Sequence, residues 1–188
     1  GNISARDPET GLILITPSGM AYDSLQPEDI CVLDLDGNHV DCRWKPSTET
    51  PLHLIFYRAK PWCHAVVHTH SLYATAFAAL GQEIPVVVAT LASAVGGSVP
   101  CAPYPPSGTE HFGQVALEAM GDRTAVLLGN HGVVAVGSSL EEAYTVAEVV
   151  ENAAKIYHFA LSVGRPNILP DSEVSRIRQK YLTKYGQK

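Results

Sequence analysis

Two histidines, His68 and His70, lie two residues apart at the end of an apolar run that begins at Ala65. In a β-strand the side chains of residues i and i+2 leave the same face, so both imidazoles can converge on one point. Neutral imidazole is the commonest protein ligand for a divalent transition metal. The same spacing also suits a strand whose histidines only form hydrogen bonds in a polar interior, and the pair alone does not decide between these interpretations.

A third histidine and one glutamate occupy positions that suit the same chemistry. His131 lies inside Gly129–Gly132, between two apolar runs that indicate buried strands. Glycines on both sides favour a tight turn that holds the imidazole in one place, although a turn histidine also often faces solvent. Glu49 precedes a predicted helix, where a carboxylate either complements the helix dipole or takes part in a site. On spacing alone the four residues are candidate ligands.

Glycines and small hydroxyl residues form three candidate anion-binding segments. Gly1–Ser4 and Thr16–Gly19 flank one strand-like run, and their backbone N–H groups and hydroxyls can approach an anion closely. Ser47 and Thr48 lie just before a predicted helix, where unpaired amides and the helix dipole favour an anion. Each of these turns also forms without any ligand, so no single one of them identifies a binding site.

Hydrophobic periodicity and turn residues predict the elements that position these candidates. The turn Asp36–Asn38 indicates a hairpin, so part of the sheet is antiparallel. Thr50 and Ser71 are the predicted caps of the first two helices. The predicted strands are 12–15, 29–35, 65–70, 84–90, 125–128 and 133–136, and the predicted helices are those that begin at Thr50 and Ser71 together with 109–120, 139–164 and 171–185.

The length and the charge balance exclude several classes of protein. A chain of 188 residues is long enough for one domain with a real core, and we expect a single domain that lacks a short N-terminal segment. The formal net charge is −6 without a basic cluster, so nucleic acid is not an expected partner. The sequence contains neither a membrane-spanning apolar run nor a signal peptide, which predicts a cytoplasmic protein.

Five motifs occur in one order along nearly the whole chain. They are Gly1–Ser4, Thr16–Gly19, Lys45–Glu49, His68–His70 and Gly129–Gly132. Together they resemble the class II aldolase/adducin family, and within it most closely the L-fuculose-phosphate aldolase branch. The resemblance implies an α/β fold, a three-layer α/β/α sandwich with a largely antiparallel central sheet. It also implies a homotetramer whose sites lie at subunit contacts.

The same resemblance implies a zinc site, with one ion per subunit held by His68, His70 and His131. Glu49 would be a further ligand that can leave the metal and act as a base. The phosphate of a sugar substrate would be bound by five residues: Asn2, Ser18, Gly19, Ser47 and Thr48. These positions agree with the candidates that the turns and the predicted helix start indicate.

The implied activity is zinc-dependent cleavage of a phosphorylated ketose to dihydroxyacetone phosphate and an aldehyde. A zinc ion stabilises the enediolate that forms when the bond beside the ketone breaks, so no lysine Schiff base is required. Epimerisation at C4, dehydration or decarboxylation of a sugar phosphate are alternatives that use similar chemistry. A metal-free scaffold of the adducin type is a further alternative, although such a protein need not retain this ligand set.

Two positions bear on the choice among these activities. Ala89 stands where the aldolases of the resembled branch have a tyrosine that donates a proton, so the acid on the aldehyde side is not identified by that match. Tyr185 matches the tyrosine near the family's C-terminus and is the first candidate replacement, and Tyr104 is another. A different reaction or a smaller aldehyde is the alternative to a replacement acid. The epimerase branch has an aspartate where this chain has Glu49, which favours an aldolase.

Overall fold

The computed structural model describes residues 1–104 and 110–184. In this part of the chain the strands are β1 (Asn2–Arg6), β2 (Ile13–Ile15), β3 (Cys31–Leu33), β4 (His39–Asp41), β5 (Ala65–Thr69), β6 (Cys101–Ala102), β7 (Ala125–Leu128) and β8 (Gly132–Gly137). The helices are α1 (Thr50–Ala59), α2 (Leu72–Ala79), α3 (Ala89–Val95), α4 (Glu110–Met120), α5 (Leu140–Val163) and α6 (Asp171–Lys184). No helix among these residues is long and apolar enough to cross a membrane.

All eight strands form one sheet in the order β4-β3-β2-β1-β5-β8-β7-β6. The sheet is mixed, which corrects the expectation of a largely antiparallel sheet. β6 pairs with β7 in parallel, whereas each of the other neighbouring strand pairs in this order is antiparallel. The parallel pair has a simple cause, because α4 lies between β6 and β7 in the chain. A crossover through a helix returns the second strand in the direction of the first.

The alternation of side chains along β5 divides the apolar interior into two cores. Ala65 and Val67 belong to the core that α2, α3 and α5 cover, whereas Val66 belongs to the core that α1 and α4 cover. Successive side chains of a strand leave opposite faces of the sheet, so His68 follows Val66 to the α1 face. This alternation directs one predicted metal ligand toward the helix that Glu49 precedes.

The predicted strand 84–90 is wrong. Ile84 forms only an isolated bridge to Val99, and Ala89 is the first residue of α3. Pro85 lacks the N–H group that a central strand needs. The alanine-rich run that follows favours a helix, and Gly96 ends that helix in a left-handed conformation at φ 86°. Ala89 is exposed at the start of this helix.

The helix starts also differ in detail from the predicted caps. Glu49, not Thr50, is the residue before α1, and the Thr50 hydroxyl donates to the Ser47 carbonyl at 2.7 Å. Ser71 precedes α2 without a side-chain cap, because the carboxylate of Glu151 on α5 accepts hydrogen bonds from the first amides of that helix. Tyr185, predicted as the end of the last helix, lies outside the described residues.

Candidate metal centre

The end of β5, the turn between β7 and β8 and the segment before α1 bring three imidazoles and one carboxylate together on the α1 face of the sheet. The Nε2 atom of His68 lies 3.0 Å from that of His70 and 3.2 Å from that of His131. The Glu49 carboxylate lies 3.3 Å from the His68 nitrogen and 3.0 Å from the His131 nitrogen. One ligand atom from each of the four residues falls within 4.8 Å of all the others. The structure thus brings together all four candidate ligands.

Hydrogen bonding and packing orient the two histidines that face inward. His68 is buried, and its Nδ1 lies 2.9 Å from the Val133 carbonyl oxygen. A carbonyl only accepts, so Nδ1 carries the proton and the lone pair of Nε2 faces the cluster, as in many metal-binding histidines. His131 follows Asn130, whose φ of 54° closes the turn, and its ring packs against Phe112 with centroids 5.3 Å apart.

The donor set fits a divalent metal ion. Nitrogen ligands about 2.0–2.1 Å from a tetrahedral zinc lie about 3.3 Å from one another, close to the spacing of these nitrogens. The Glu49 Oε1 atom is buried and lies 3.0 Å from His131 Nε2, but no residue that the structure describes donates a well-aligned hydrogen bond to it. A bound cation would satisfy that oxygen and would relieve the repulsion among lone pairs that converge on one point. His70 is exposed, so one side of the cluster is open to a substrate.

The electrostatics of the cluster favour an ionised acid beside neutral imidazoles. Burial raises the pKa of Glu49, but the contact with His131, the charge on His68 when protonated and the Asn2 amide lower this pKa to about 2. Burial lowers the pKa of His68 to about 4 and also lowers the pKa of His70. At neutral pH these are the protonation states in which carboxylate and imidazole bind metals.

Two of the three candidate anion-binding segments, the one after β2 and the one before α1, lie side by side. Pro17 and Pro46 form an antiparallel bridge, and the Ser18 amide donates to the Lys45 carbonyl at 2.9 Å. In this register Ser18 lies opposite Lys45, whereas Ser47 lies opposite Thr16 and donates its amide hydrogen to the Thr16 carbonyl at 3.2 Å. Ser47 is buried, and its hydroxyl accepts a hydrogen bond from the Glu49 amide at 3.2 Å.

The other three candidate phosphate residues differ in their surroundings. Thr48 and Gly19 are exposed, and Gly19 has a φ of 72°, a conformation that glycine adopts without strain. The Asn2 side chain is buried, and its amide nitrogen donates to Glu49 at 2.7 Å. An amide nitrogen carries two hydrogens, so Asn2 retains one that can reach another acceptor.

Sequence reasoning missed a buried polar group next to the cluster. His53 and Tyr57 on α1, together with Ser4 on β1, join Asn2 in a continuous set of hydrogen bonds. The signal was present, because Glu49, His53 and Tyr57 recur every four residues and therefore share one face of the helix. Ser4 likewise shares a strand face with Asn2.

A mixed α/β sheet that bears three histidines and a glutamate at the start of a helix defines a class of metal-binding enzyme domain. The family model described as "Class II Aldolase and Adducin N-terminal domain" matches residues 1–158. The chain belongs to this family, and the resemblance that its five motifs indicate is confirmed. Enzymes of the class II aldolase type are lyases that use a divalent metal, and the four-residue cluster is able to bind one.

Relatives of known name support the same assignment. The 5-deoxy-D-ribulose 1-phosphate aldolase of Bacillus thuringiensis serovar kurstaki is 45% identical over 187 residues, which are 100% of this chain and 87% of that protein. A 5-methylthioribulose-1-phosphate/5-deoxyribulose-1-phosphate aldolase of Rhodospirillum rubrum is 38% identical, covering 99% and 82% of the two chains. A solved structure of L-fuculose 1-phosphate aldolase superposes with a TM-score of 0.93 at 38% identity, covering 96% of this chain and 85% of that chain.

Proposed function

We propose that the protein is a zinc-dependent aldolase that cleaves a ketose 1-phosphate between C3 and C4. The products are dihydroxyacetone phosphate and a short aldehyde. The observation that carries this proposal is the position of Glu49, whose carboxylate oxygens lie 3.0 Å and 3.3 Å from the nitrogens of two of the three convergent histidines. A base beside a Lewis-acid site is what cleavage next to a ketone requires.

His68, His70 and His131 would hold the zinc ion, and Glu49 would be its exchangeable fourth ligand. When bound, the ion supplies Lewis-acid stabilisation of the negative charge that develops at the ketone oxygen as the bond breaks. In the cleavage direction a base on the aldehyde side removes the proton of the C4 hydroxyl, the C4–O electrons form the aldehyde carbonyl, and the C3–C4 electron pair moves toward the ketone. Glu49, which has taken up a proton from solvent, then donates that proton to C3. In the synthetic direction the Glu49 carboxylate removes that proton from dihydroxyacetone phosphate.

Phosphate binding is the second part of the proposal. Asn2, Ser18, Gly19, Ser47 and Thr48 would form a cradle for the 1-phosphate. The bridge between Pro17 and Pro46 supports this assignment, because it joins the segment that contains Ser18 and Gly19 to the segment that precedes α1. Binding a group remote from the reacting carbons fixes the ketone against the base and lowers the entropic cost of reaction.

The aldehyde half of the substrate would be small and apolar. A 5-deoxypentulose 1-phosphate yields acetaldehyde, which has no hydroxyl, whereas L-fuculose 1-phosphate yields an aldehyde with a hydroxyl beside the carbonyl. Ala89, at the position that the family resemblance assigns to a tyrosine, has no group to hydrogen-bond that hydroxyl. The two relatives that act on 5-deoxyribulose 1-phosphate support the same choice.

A comparison of substrates tests the proposal. Protein stripped with chelator and reloaded with zinc should release dihydroxyacetone phosphate from 5-deoxyribulose 1-phosphate with a higher kcat/KM than from L-fuculose 1-phosphate. Carbon-13 NMR of the products separates cleavage from C4 epimerisation, dehydration and decarboxylation. Metal-loaded protein that cleaves neither ketose would refute the aldolase assignment, and inactivity on all sugar phosphates would favour a scaffold.

Tyr185 is the proposed proton donor on the aldehyde side, in place of the missing tyrosine at position 89. It lies outside the described residues, so its support is the match to the family's C-terminal tyrosine. Replacing Tyr185 with phenylalanine should lower kcat while the zinc content stays at one ion per chain. A variant with undiminished turnover would exclude this tyrosine as the acid.

The remaining proposals concern organisation. We propose that residues 1–188 form a single three-layer α/β/α domain, and the two separate cores on the faces of the sheet support this layering. We also propose that the protein is cytoplasmic. We also propose a homotetramer with sites at subunit contacts. Large apolar side chains support self-association, since Val163 is 88% and Leu72 is 73% exposed. Light scattering on the purified protein measures this oligomeric state directly.

A further inference from the structure

A continuous line of hydrogen bonds runs from the Glu49 carboxylate into the interior. The Asn2 amide nitrogen lies 2.7 Å from Glu49 Oε2, and the Asn2 amide oxygen lies 2.5 Å from His53 Nε2. His53 Nδ1 lies 2.6 Å from the Ser4 hydroxyl, which lies 2.7 Å from the Tyr57 hydroxyl. Asn2, Ser4, Tyr57 and His53 are all buried, and His53 is completely inaccessible to solvent.

The donors and acceptors in this line have one consistent direction. A carboxylate only accepts, so Asn2 must turn its NH₂ group toward Glu49 and its oxygen toward His53. That oxygen also only accepts, so the proton of the neutral His53 ring must be on Nε2. Burial lowers the pKa of His53 to about 3, in agreement with a neutral ring.

The far end of the line follows the same direction. With its proton on Nε2, the His53 ring presents a lone pair at Nδ1 and accepts the Ser4 hydroxyl proton. The Ser4 oxygen then accepts the Tyr57 hydroxyl proton, which a phenol readily donates. Burial raises the pKa of Tyr57 well above its ordinary value, so the phenol keeps this proton at neutral pH. Each group in the interior therefore has a partner that matches its role.

We propose that His53, supported by Ser4 and Tyr57, is a positioning residue that fixes the orientation of the Asn2 amide and, through it, of the Glu49 carboxylate. A reversed Asn2 amide would set its oxygen against the carboxylate and its NH₂ group against the His53 N–H. Both contacts would be repulsive, so the Glu49 carboxylate and the His53 Nε2 proton select the same orientation of the amide, and His53 adds to the stability of that orientation. This inference rests on the proposed function insofar as Glu49 transfers the proton.

The consequence of losing this orientation falls on the chemical step. Asn2 is the one residue of this line that also belongs to the proposed phosphate cradle, so the phosphate keeps its contacts with the other four cradle residues. A misdirected Glu49 carboxylate would transfer its proton poorly, which should lower kcat more than it raises KM. Loss of a group that orients a metal ligand typically costs about 10–100-fold in activity or metal affinity.

Two matched amide variants separate the positioning role from a packing role. In His53→Gln the amide nitrogen can occupy the position of Nε2 and donate to Asn2. In His53→Asn the shorter side chain reaches the level of Nδ1, so it retains the contact with Ser4 and leaves Asn2 unpaired. Both variants remove the ring and bury one amide, and a role limited to packing would give equal losses in both.

The expected result is a difference in kcat between the two variants. With saturating zinc, His53→Gln should retain kcat within about 3-fold of the wild type, whereas His53→Asn should lose about 10–100-fold in kcat with a smaller change in KM. Thermal unfolding midpoints of the two variants provide the control for folding. Equal kcat values, or a loss confined to KM, would overturn the proposal.

A second measurement does not depend on activity. In zinc-loaded protein labelled with ¹⁵N-histidine, two-bond ¹H–¹⁵N correlations identify the tautomer of each ring, and the signals absent from His53→Gln belong to His53. The proposal requires the Nε2–H tautomer, and the Nδ1–H tautomer or a doubly protonated ring at pH 7 would overturn it. A wild-type protein without aldolase activity would refute the proposed function, while the tautomer would still decide the orientation of Asn2.

Discussion

The metal-free protein should lose stability in acid, and His53 should account for one proton of that loss. Burial lowers the pKa of His53 from 6.5 to about 3 in the folded state. Between these values the unfolded chain binds a proton that the folded chain excludes, so the free energy of unfolding falls as the pH falls. One such proton corresponds to about 1.4 kcal/mol per pH unit, or about 2–3 kcal/mol between pH 6 and pH 4.

Urea unfolding at several pH values measures this contribution. Protein is kept metal-free with chelator, and tryptophan fluorescence follows the transition between pH 4 and pH 7. His53→Gln cannot titrate, so its free energy of unfolding should fall less steeply than that of the wild type by about 1.4 kcal/mol per pH unit. Burial also lowers the pKa of His68, to about 4, but this contribution is present in both proteins and cancels in the difference.

The matched control is His39→Gln, because His39 is exposed on β4. Its free energy of unfolding should follow that of the wild type across the whole pH range. The reasoning would be refuted if wild type and His53→Gln gave parallel dependences on pH, since His53 would then bind its proton equally in both states. A steeper dependence in His53→Gln would contradict the sign of the effect.

Three further predictions concern the site. His68→Ala should contain less than one zinc ion per chain by elemental analysis, because a buried ligand is lost. The control variant His39→Ala should retain one ion per chain, and full zinc occupancy in His68→Ala would exclude His68 as a ligand. Glu49→Gln should slow deuterium uptake at C3 of dihydroxyacetone phosphate by about 10²- to 10⁴-fold, the range for loss of a general base, and unchanged uptake would exclude that role. Ser47→Ala should raise KM for a ketose 1-phosphate and leave the unphosphorylated ketose unaffected, and equal effects on both would place the phosphate elsewhere.

The residues of the candidate site could be predicted because each belongs to a short motif with its own local logic. Alternation along β5 brings His68 to the α1 face, and glycines around His131 favour the turn that holds it. Glu49 precedes a helix start that a proline marks. These signals extend over a few residues, so they were readable without knowledge of which segments meet in space.

The secondary-structure elements that the sequence did not predict depend on competing local preferences or on contacts between distant residues. The apolar run 84–88 suits a strand, but Pro85 and the alanines after it favour a break and a helix. β6, the strand that pairs in parallel, has only two residues, Cys101–Ala102, and lies inside a loop rich in glycine and proline. A pattern of two residues carries no periodicity, so this edge of the sheet and its direction were not predictable.

The surroundings of Asn2 show what its sequence motif alone does not indicate. In the sequence Asn2 belongs to a small-residue turn, and such a turn predicts an anion contact. In the structure its amide connects Glu49, before α1, with His53, one turn into that helix. These two partners lie 47 and 51 positions after Asn2 in the chain. The recurrence of Glu49, His53 and Tyr57 every four residues indicates a shared helix face, but it does not reveal that β1 lies against that face. Only the pairing of β1 with β5 places Asn2 beside His68, and it is this pairing that converts a stripe of polar residues into a support for the candidate base.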